Sequence, residues 1–257
     1  MDKVSICVVT HNNEKEILKL LESIYHFTKN IDFKVYIVDN NSKDKTVIQI
    51  RKNYPDVALI KSKKNLGFGK AHNLVLDKID SDFHVIINPD IVLKSNALND
   101  LLEYLKNHED VIAVTPKIVS PDGKPQDLPK IDPKFRYMLA GRLERYSSYF
   151  SYLRSEYTMK DKDGYIDPFD IDFCTGCFMV IRTKIFKKIK GFDKRFFMYL
   201  EDADLSRRAR NYGKIMFIPS VKVIHAWHRE SSKSIKFLLI HIVSMFKYFM
   251  KWANNRK

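Results

Sequence analysis

The chain has 257 residues, 45% hydrophobic and 30% charged, which is enough for one sizeable core or for one domain with an appendage. Its 45 Lys and Arg against 31 Asp and Glu give a net charge of +14, which favours anionic partners: nucleic acid, nucleotide phosphates or an acidic membrane surface. Three cysteines, an odd number, argue against a disulfide framework and for a reducing compartment. Since no run of about 18 apolar residues and no signal-peptide pattern occurs, we expect a cytoplasmic protein without a membrane span.

Short apolar runs alternate with helical patterns over the first 120 residues. In chain order the predicted elements are strand Val4–Thr10, helix Glu14–His26, strand Val35–Asp39, helix Asp44–Asn53, strand Val57–Ile60, helix Lys70–Lys78, strand Phe83–Ile87, helix Asn96–Asn107 and strand Val111–Val114. This alternation predicts an α/β fold with a mostly parallel sheet and helices on both faces. Ligands of such sheets bind beyond the carboxyl ends of the strands.

The pattern changes after residue 120. Several prolines mark a loop, and residues 135–157 are rich in Tyr and Arg. We expect a partly helical insert that contacts a substrate or a membrane, with a solvated surface subdomain as the alternative. Strands are predicted again near Phe178–Ile181, over Lys214–Ile218 and over Val221–His225.

The tail from Lys233 to Trp252 is amphipathic. One side carries Lys233, Lys236, Ser244, Lys247 and Lys251, and the other carries Leu238, Ile242, Met245, Phe249 and Trp252. Such a helix can lie in an anionic membrane interface, or it can pack on the protein or pair two subunits in a homodimer. We therefore divide the chain into a domain over 1–232, with a nucleotide half of about 1–120 and an acceptor half of about 121–232, and a basic helix over 233–257.

Polar residues follow the first, second and fourth predicted strands, where they would converge on one crevice. They are Thr10-His11-Asn12-Asn13, Asp39-Asn40-Asn41-Ser42 and Asn88-Pro89-Asp90. Asp39 could accept from a nucleobase or ribose, or cap the next helix. Asp90 could hold a divalent metal against phosphates. The basic segment Lys63–Lys70 contains two glycines ahead of a helix, which suits a diphosphate or an ordinary loop.

Three carboxylates, Glu201, Asp202 and Asp204, fall within four residues after an aromatic run. Mutual repulsion and burial would raise their pKa values, which suits a general base. The alternative is a first helical turn in which Asp204 pairs with Arg207 or Arg208. His225 ends a predicted strand, and it is either structural or a ligand.

Six segments, in this order, resemble family 2 glycosyltransferases of the GT-A fold, and the nearest branch is similar to rhamnosyltransferase-like enzymes of bacterial surface polysaccharide assembly. The segments are Val8-Val9-Thr10-His11-Asn12, Val38-Asp39-Asn40-Asn41-Ser42, residues 65–73 from Asn65 to Asn73, Asn88-Pro89-Asp90, Thr175-Gly176-Cys177-Phe178 and Glu201-Asp202-Ala203-Asp204-Leu205. The resemblance runs from about Val4 to Ser234.

The resemblance implies roles for the matching residues. A nucleotide-sugar site would comprise Thr10, His11, Asn12, Asp39, Asn41, Asn65, Gly67, Asn73 and Asn88. The acceptor would lie at Thr175, Gly176 and Asp204, although Asp204 could instead orient Arg208. Asp202 would be the catalytic base, with Glu201 as second candidate. Asp90, joined by His225, would hold Mg²⁺ or Mn²⁺, and Asn88 replaces the first acid of the family's metal-binding motif.

The implied function is inverting transfer of a sugar, L-rhamnose from dTDP-rhamnose as first choice, to a lipid-linked glycan acceptor in polysaccharide synthesis at the cytoplasmic face of the inner membrane. A UDP-hexose donor is the alternative. A nucleotidyltransferase is disfavoured because its Gly-rich signature is missing after the first strand. A non-catalytic basic protein on membrane or nucleic acid is the third hypothesis, and carboxylates at strand ends disfavour nucleic acid.

Overall fold

A mixed sheet with helices on both faces forms the body of the protein. The computed structural model describes residues 2–126, 129–162, 164–226 and 235–253. Within them the strands are β1 Lys3–Thr10, β2 Asp32–Asp39, β3 Ala58–Lys61, β4 Phe83–Ile87, β5 Ile91–Leu93, β6 Val111–Val119, β7 Phe169–Asp170, β8 Phe178–Arg182 and β9 Lys214–His225. The α-helices are α1 Glu16–Phe27, α2 Thr46–Asn53, α3 Phe68–His72, α4 Ala97–Asn107, α5 Phe135–Leu143, α6 Ser148–Tyr157, α7 Thr183–Lys188, α8 Glu201–Ala209 and α9 Ile235–Ala253.

The two faces of the sheet carry separate cores because side chains alternate along each strand. On β1, Ile6 and Val8 pack into the cluster that contains the buried residues of α1 and α4. Cys7 points to the other face, into the cluster that contains Ala71 of α3 and Phe186 of α7. The predicted α/β fold with flanking helices is therefore confirmed.

The strand order is β3-β2-β1-β4-β8-β6-β9-β5, with β7 on β9. The first four strands are parallel, as predicted, and β6 is parallel to β9. However, β8 runs antiparallel to both β4 and β6, and β5 and β7 are antiparallel to β9. The sheet is therefore parallel along its longest pairings, as predicted, and it also contains antiparallel strands that were not foreseen, since hydrophobic periodicity shows that a strand exists but not its direction.

Several details of the prediction differ from the structure. The helix predicted over Lys70–Lys78 is instead α3, Phe68–His72, followed by a 3-10 turn over Asn73–Val75. The two strands predicted over 214–218 and 221–225 are one strand, β9, whose register on β6 shifts between Ile218 and Lys222. Pro219 lies in this irregularity, where the proline does not interrupt a regular ladder. β5 and β7 were not predicted, because two or three residues are too few to show a period.

The insert contains α5 and α6, and α9 packs beside them on the acceptor half. Tyr248 of α9 is fully buried, and its hydroxyl donates to Asp132 at 2.7 Å. Ser244 Oγ donates to the carbonyl of Met198 at 2.7 Å. The expected domain boundary at 232 and Lys233 lie outside the described residues. Among the helices that the structure describes, none combines the length and the apolarity needed to cross a bilayer.

Candidate active site

The predicted polar segments meet at one edge of the sheet. β1, β2 and β4 are adjacent and parallel, so Thr10, Asp39 and the segment after Ile87 share the carboxyl edge. β8 begins opposite the end of β4, and the Asn88 amide donates to the Cys177 carbonyl at 2.9 Å. The segment from Thr175 to Cys177 therefore reaches the same edge from the acceptor half.

Asp90 and His225 face each other at this edge. β5 pairs with the end of β9, and His225 Nε2 lies 3.1 Å from Asp90 Oδ2. The other ring nitrogen, Nδ1, lies 3.0 Å from Gln126 Oε1, while Gln126 Nε2 donates to the His225 carbonyl at 3.1 Å. The second bond fixes the amide orientation, so Oε1 is the acceptor and Nδ1 carries the proton. Nε2 is thus the nitrogen presented to Asp90.

This pair fits the divalent metal that the resemblance implies. A carboxylate oxygen and an imidazole nitrogen that face each other are suitable ligands for Mn²⁺, while Mg²⁺ prefers oxygen ligands alone. Among the described residues, no third Asp, Glu, His or Cys joins them in a cluster. The remaining positions around a metal held there would suit phosphate oxygens and water.

A strained turn presents the acidic segment. Tyr199 and Leu200, directly before α8, both have left-handed backbone conformations, with φ of 71° and 64°. Each such residue costs on the order of 1 kcal/mol, so the surrounding contacts must hold the turn. Asp202 Oδ2 accepts from the Gly176 amide at 3.0 Å and Oδ1 from the Ala203 amide at 2.9 Å.

The three acids of this segment have different environments. Asp202 is half-buried, while Glu201 is only 4% exposed and its Oε2 has no hydrogen-bond partner among the residues that the structure describes. Burial raises the pKa of Glu201 well above its usual range, and the charge of Asp202 adds to this. Burial also raises the pKa of Asp202, but the Gly176 amide and the positive charge of Lys130 oppose the rise. Asp202 is therefore the more readily ionised and more accessible acid of this pair.

Asp204 does not lie at the acceptor position, which corrects that expectation. It is fully buried, and its carboxylate accepts from Arg208 Nε at 2.8 Å and from Trp252 Nε1 at 3.1 Å. Lys251 of α9 also donates to it. The alternative pairing of Asp204 with Arg208 is the one observed. The burial of Glu201 likewise leaves it poorly placed to reach a substrate hydroxyl.

Thr10 and Asp39 retain free hydrogen-bonding capacity on the nucleotide side. Both are buried, and within the described part of the chain Thr10 Oγ1 has no hydrogen-bond partner. From those same residues Asp39 accepts long bonds of 3.3 and 3.4 Å, both from the Ser42 amide. Nearby, the exposed His11 ring has Nδ1 3.0 Å from the Asn40 carbonyl. These features suit a nucleoside, whose base and ribose offer both donors and acceptors.

Other residues of the predicted nucleotide site hold its loops together. Asn12 Oδ1 accepts from the Lys43 amide at 2.7 Å, and Asn41 Oδ1 accepts from Lys43 Nζ at 3.1 Å. Asn65 Oδ1 accepts from the Gly67 amide at 2.9 Å and from Asn40 Nδ2 at 3.0 Å. The amide oxygens of these three asparagines are therefore engaged within the protein.

Asn40 is an organising residue that the sequence reasoning missed. It is buried, its Oδ1 accepts from the Leu66 amide at 2.8 Å and its Nδ2 donates to the Gly67 carbonyl at 3.2 Å. Its position after Asp39 in a polar strand end was the available signal. Gly67 has φ of 82°, and a Cβ there would lie 1.9 Å from the Phe197 carbonyl oxygen, so only glycine fits.

Asn73 and Thr175 have structural contacts instead of the expected ligand contacts. Asn73 donates to the Phe192 carbonyl at 2.7 Å and accepts from the Phe192 amide at 2.9 Å, which uses both ends of its side chain. Thr175 is buried with its hydroxyl 3.1 Å from Cys177 Sγ. Gly176 contributes its amide to Asp202. The side chains of Asn73 and Thr175 and the Gly176 amide therefore hold neighbouring parts of the site in place.

A family model described as glycosyl transferase family 2 matches residues 5–190, which is most of the chain. The chain belongs to this family. Rhamnosyltransferase WbbL of Escherichia coli is 28% identical over 262 residues, covering 96% of this chain and 93% of that protein. N-acetylglucosaminyl-diphospho-decaprenol L-rhamnosyltransferase of Mycobacterium tuberculosis is 26% identical over 241 residues, covering 87% of this chain and 76% of that protein.

Solved structures similar to this family 2 chain share its fold. The mannosyltransferase PcManGT from Pyrobaculum calidifontis, in complex with GDP-Man and Mn²⁺, aligns with a TM-score of 0.62 at 17% identity, covering 89% of this chain. TarS 1–349 of S. aureus aligns with a TM-score of 0.60 at 19% identity, covering 87% of this chain. This chain spans only 58% and 60% of those two structures.

Gln126 is a second residue that the sequence reasoning missed, and its contacts give a prediction. Replacing Gln126 with Leu removes both bonds that orient His225, so we expect Mn²⁺ affinity to fall about 10- to 100-fold, the usual effect of losing a contact that orients a ligand. Mn²⁺ titration by electron paramagnetic resonance in the presence of UDP or dTDP measures this. Gln49→Leu, at a half-buried position of α2, is the control, and equal affinity in the two variants would contradict the role.

Lys130 acts on the acidic turn through its positive charge, and its Nζ lies 4.9 Å from the Phe173 ring centroid. Its positive charge lowers the pKa of Asp202, so Lys130→Met should raise that pKa further. A base acts when deprotonated, and we therefore expect the acidic limb of the kcat/KM profile to move to higher pH. Lys52→Met, at an exposed position on α2, should leave the limb unchanged. A limb that stays in place in Lys130→Met would show that Asp202 is not the titrating base.

Proposed function

We propose that this protein is an inverting glycosyltransferase that moves L-rhamnose from dTDP-rhamnose to a lipid-linked glycan acceptor in cell-surface polysaccharide synthesis. The observation that carries the proposal is the half-buried Asp202 carboxylate, held by the Gly176 and Ala203 amides where the acceptor half meets the sheet edge of Asp90 and His225. One carboxylate and one potential metal site in that arrangement suit a single displacement at a sugar carbon.

Asp202 is the proposed base. Its two backbone bonds fix the carboxylate, while burial raises its pKa and makes it a stronger proton acceptor. It takes the proton of the acceptor hydroxyl as that oxygen bonds to the anomeric carbon. The bond from that carbon to the diphosphate oxygen breaks at the same time, so the configuration inverts. Burial raises the pKa of Glu201 well above its usual range, which disfavours its ionised form as a competing base.

The leaving diphosphate needs compensation of its charge. Asp90 and His225 would hold a divalent cation, and a bound Mn²⁺ or Mg²⁺ supplies positive charge to the diphosphate oxygens. Lys63 and Lys64 are exposed ahead of Gly67, where they can bind phosphate oxygens. On the far side of the crevice, Asp39 and Thr10 would bind the base and ribose of the nucleotide.

The names of the two relatives support rhamnose as the sugar and a lipid diphosphate as the carrier of the acceptor. At 26% and 28% identity a UDP-hexose remains the competing donor. Since a lipid-linked acceptor lies at a membrane, we propose that the protein works as a peripheral protein on the cytoplasmic face of the inner membrane. Its net charge of +14 is consistent with an anionic lipid surface.

Thermal shifts with dTDP, UDP and GDP, each with and without Mn²⁺, test the donor site. A ligand at 100 times its Kd stabilises the folded state by about 2.7 kcal/mol, which raises Tm by several degrees. We expect the largest Mn²⁺-dependent shift with dTDP, and transfer from dTDP-rhamnose to a lipid-diphosphate N-acetylglucosamine acceptor. A larger shift with UDP would replace rhamnose by a UDP-hexose, and no shift with any nucleotide would overturn the proposed transferase.

A further inference from the structure

An exposed apolar stripe runs along α9. Its residues are Ile235, Leu239, Val243, Phe246 and Met250, each between 49% and 77% exposed. At 3.6 residues per turn they fall within an arc of about 80°. A continuous exposed apolar face of this kind marks a surface that binds something.

The orientation of this stripe is fixed by contacts on the opposite side of α9. Lys251 Nζ lies 2.7 Å from Asp193 and also bonds the buried Asp204, and the Tyr248 hydroxyl bonds Asp132. These buried polar groups cannot be exposed without loss of their partners. The helix therefore cannot rotate to bury the stripe against its own domain.

This arrangement differs from the division into one basic and one apolar side that the sequence suggested for this helix. Ser244 and Lys251, assigned to the outward basic side, face the protein, and so does Trp252, assigned to the apolar side. Lys247 donates to the carbonyl of Arg195 at 2.8 Å. Helix α9 thus has two apolar faces. One packs against the domain, and the other is exposed.

Neighbouring residues extend the patch and give it a charged border. Phe135 of α5 is 53% exposed, and its ring lies 6.0 Å from the ring of Phe249. Lys236 and Lys247 are exposed at the margin of the stripe, where their long side chains can reach phosphate headgroups while their stems lie along apolar surface.

We propose that the α9 stripe, together with Phe135, docks the protein on the surface of an anionic lipid bilayer. A large apolar face bordered by lysines on a chain of net charge +14 suits anionic headgroups above acyl chains. The same charge disfavours a second copy of the chain as the occupant, because two copies repel each other. α8 packs on the opposite side of α9, so docking puts the acidic turn about one helix diameter, ~10 Å, from the lipid-facing side.

The inference deepens the membrane-surface part of the proposed function, and vesicle binding tests it without any donor or acceptor. The full chain is sedimented with phosphatidylcholine vesicles that contain or lack about one-third phosphatidylglycerol. The triple variant Leu239→Ser, Phe246→Ser, Met250→Ser removes the centre of the stripe. We expect binding to the anionic vesicles only, and an approximately 1000-fold lower partition coefficient for the triple variant, since each of the three large apolar side chains withdrawn costs about tenfold.

Ile48→Ser with Ile166→Ser is the matched control, because both residues are exposed and lie outside α9. The control should bind vesicles like the wild type. An unchanged thermal midpoint in the triple variant shows that it folds. Equal vesicle binding by the triple variant and the control would overturn the proposal. The proposal would also be overturned if the wild type did not bind vesicles and sedimented as a dimer while the triple variant sedimented as a monomer. A second copy of the chain would then cover the stripe. Vesicle binding with no nucleotide shift would instead reject the transferase and leave the docking surface standing.

Discussion

Asp202→Asn should lower kcat about 1000-fold, within the range that a positioned general base contributes. Asn has the same size and keeps an oxygen for one of the two backbone amides that bond Asp202. The side chain can no longer accept a proton, so the acceptor hydroxyl must react without assistance. Nucleotide affinity should not change, because the proposed nucleotide contacts, Thr10 and Asp39, lie at the ends of β1 and β2 and not on α8. Steady-state kinetics with a thermal shift for the nucleotide measures both quantities.

Glu201→Gln is the matched control for this prediction. Since burial raises the pKa of Glu201 and disfavours its charged form, a neutral Gln of the same size is a mild replacement, and kcat should fall less than about tenfold. A reversal, with Glu201→Gln the inactive variant and Asp202→Asn the active one, would exchange the two roles. Comparable activity of Asp202→Asn and the wild type would remove the base from the mechanism altogether.

Asp204→Asn should destabilise the fold by about 3 kcal/mol, the usual cost of removing one partner from a buried ion pair. The carboxylate is fully buried between Arg208 of α8 and Lys251 of α9. Its loss leaves Arg208 with the neutral carbonyls of Ile189 and Gly191 as its partners within the described residues. We expect Tm to fall on the order of 10 °C, as measured by differential scanning fluorimetry, with kcat of the folded fraction near the wild-type value.

Asp110→Asn gives the contrast. Asp110 pairs with Lys214 at 2.9 Å, but both side chains are more than half exposed, and such pairs contribute little. Its Tm should match the wild type. If Asp204→Asn left Tm unchanged while kcat fell, Asp204 would belong to the reaction site, as the sequence first suggested.

Much of the nucleotide half could be predicted because most of its elements, unlike the three-residue β5, are long enough to show a period. Helix α4, for example, buries Leu98, Leu101 and Leu105 at the predicted spacing. The common edge of Thr10, Asp39 and Asp90 followed from parallel strands alone. The direction of β8 did not follow, although it brings Gly176 to Asp202, since no local pattern encodes which way a buried strand runs.

Individual roles within the site were less predictable. Asn73 and Asp204 have side chains suited to a ligand, yet both are engaged by distant parts of the chain, Phe192 and Lys251. Gln126 and Lys130 come from a proline-marked loop without periodicity, so only the tertiary structure places them beside His225 and the acidic turn. The residue type shows which bonds a side chain can make, while the fold determines which groups lie close enough to make them.

Asp132 joins three separate parts of the acceptor half, and this matters for engineering. Its carboxylate accepts from Tyr248 of α9 at 2.7 Å and from Arg207 of α8 at 3.1 Å. A chimera that exchanges the insert for that of a relative could replace Asp132, and Tyr248 and Arg207 would then lose the carboxylate to which they donate. Because Tyr248 is buried, an unmatched hydroxyl there would be costly. An exchange of the insert between relatives should therefore keep these contacts only if α8 and α9 are moved together with it.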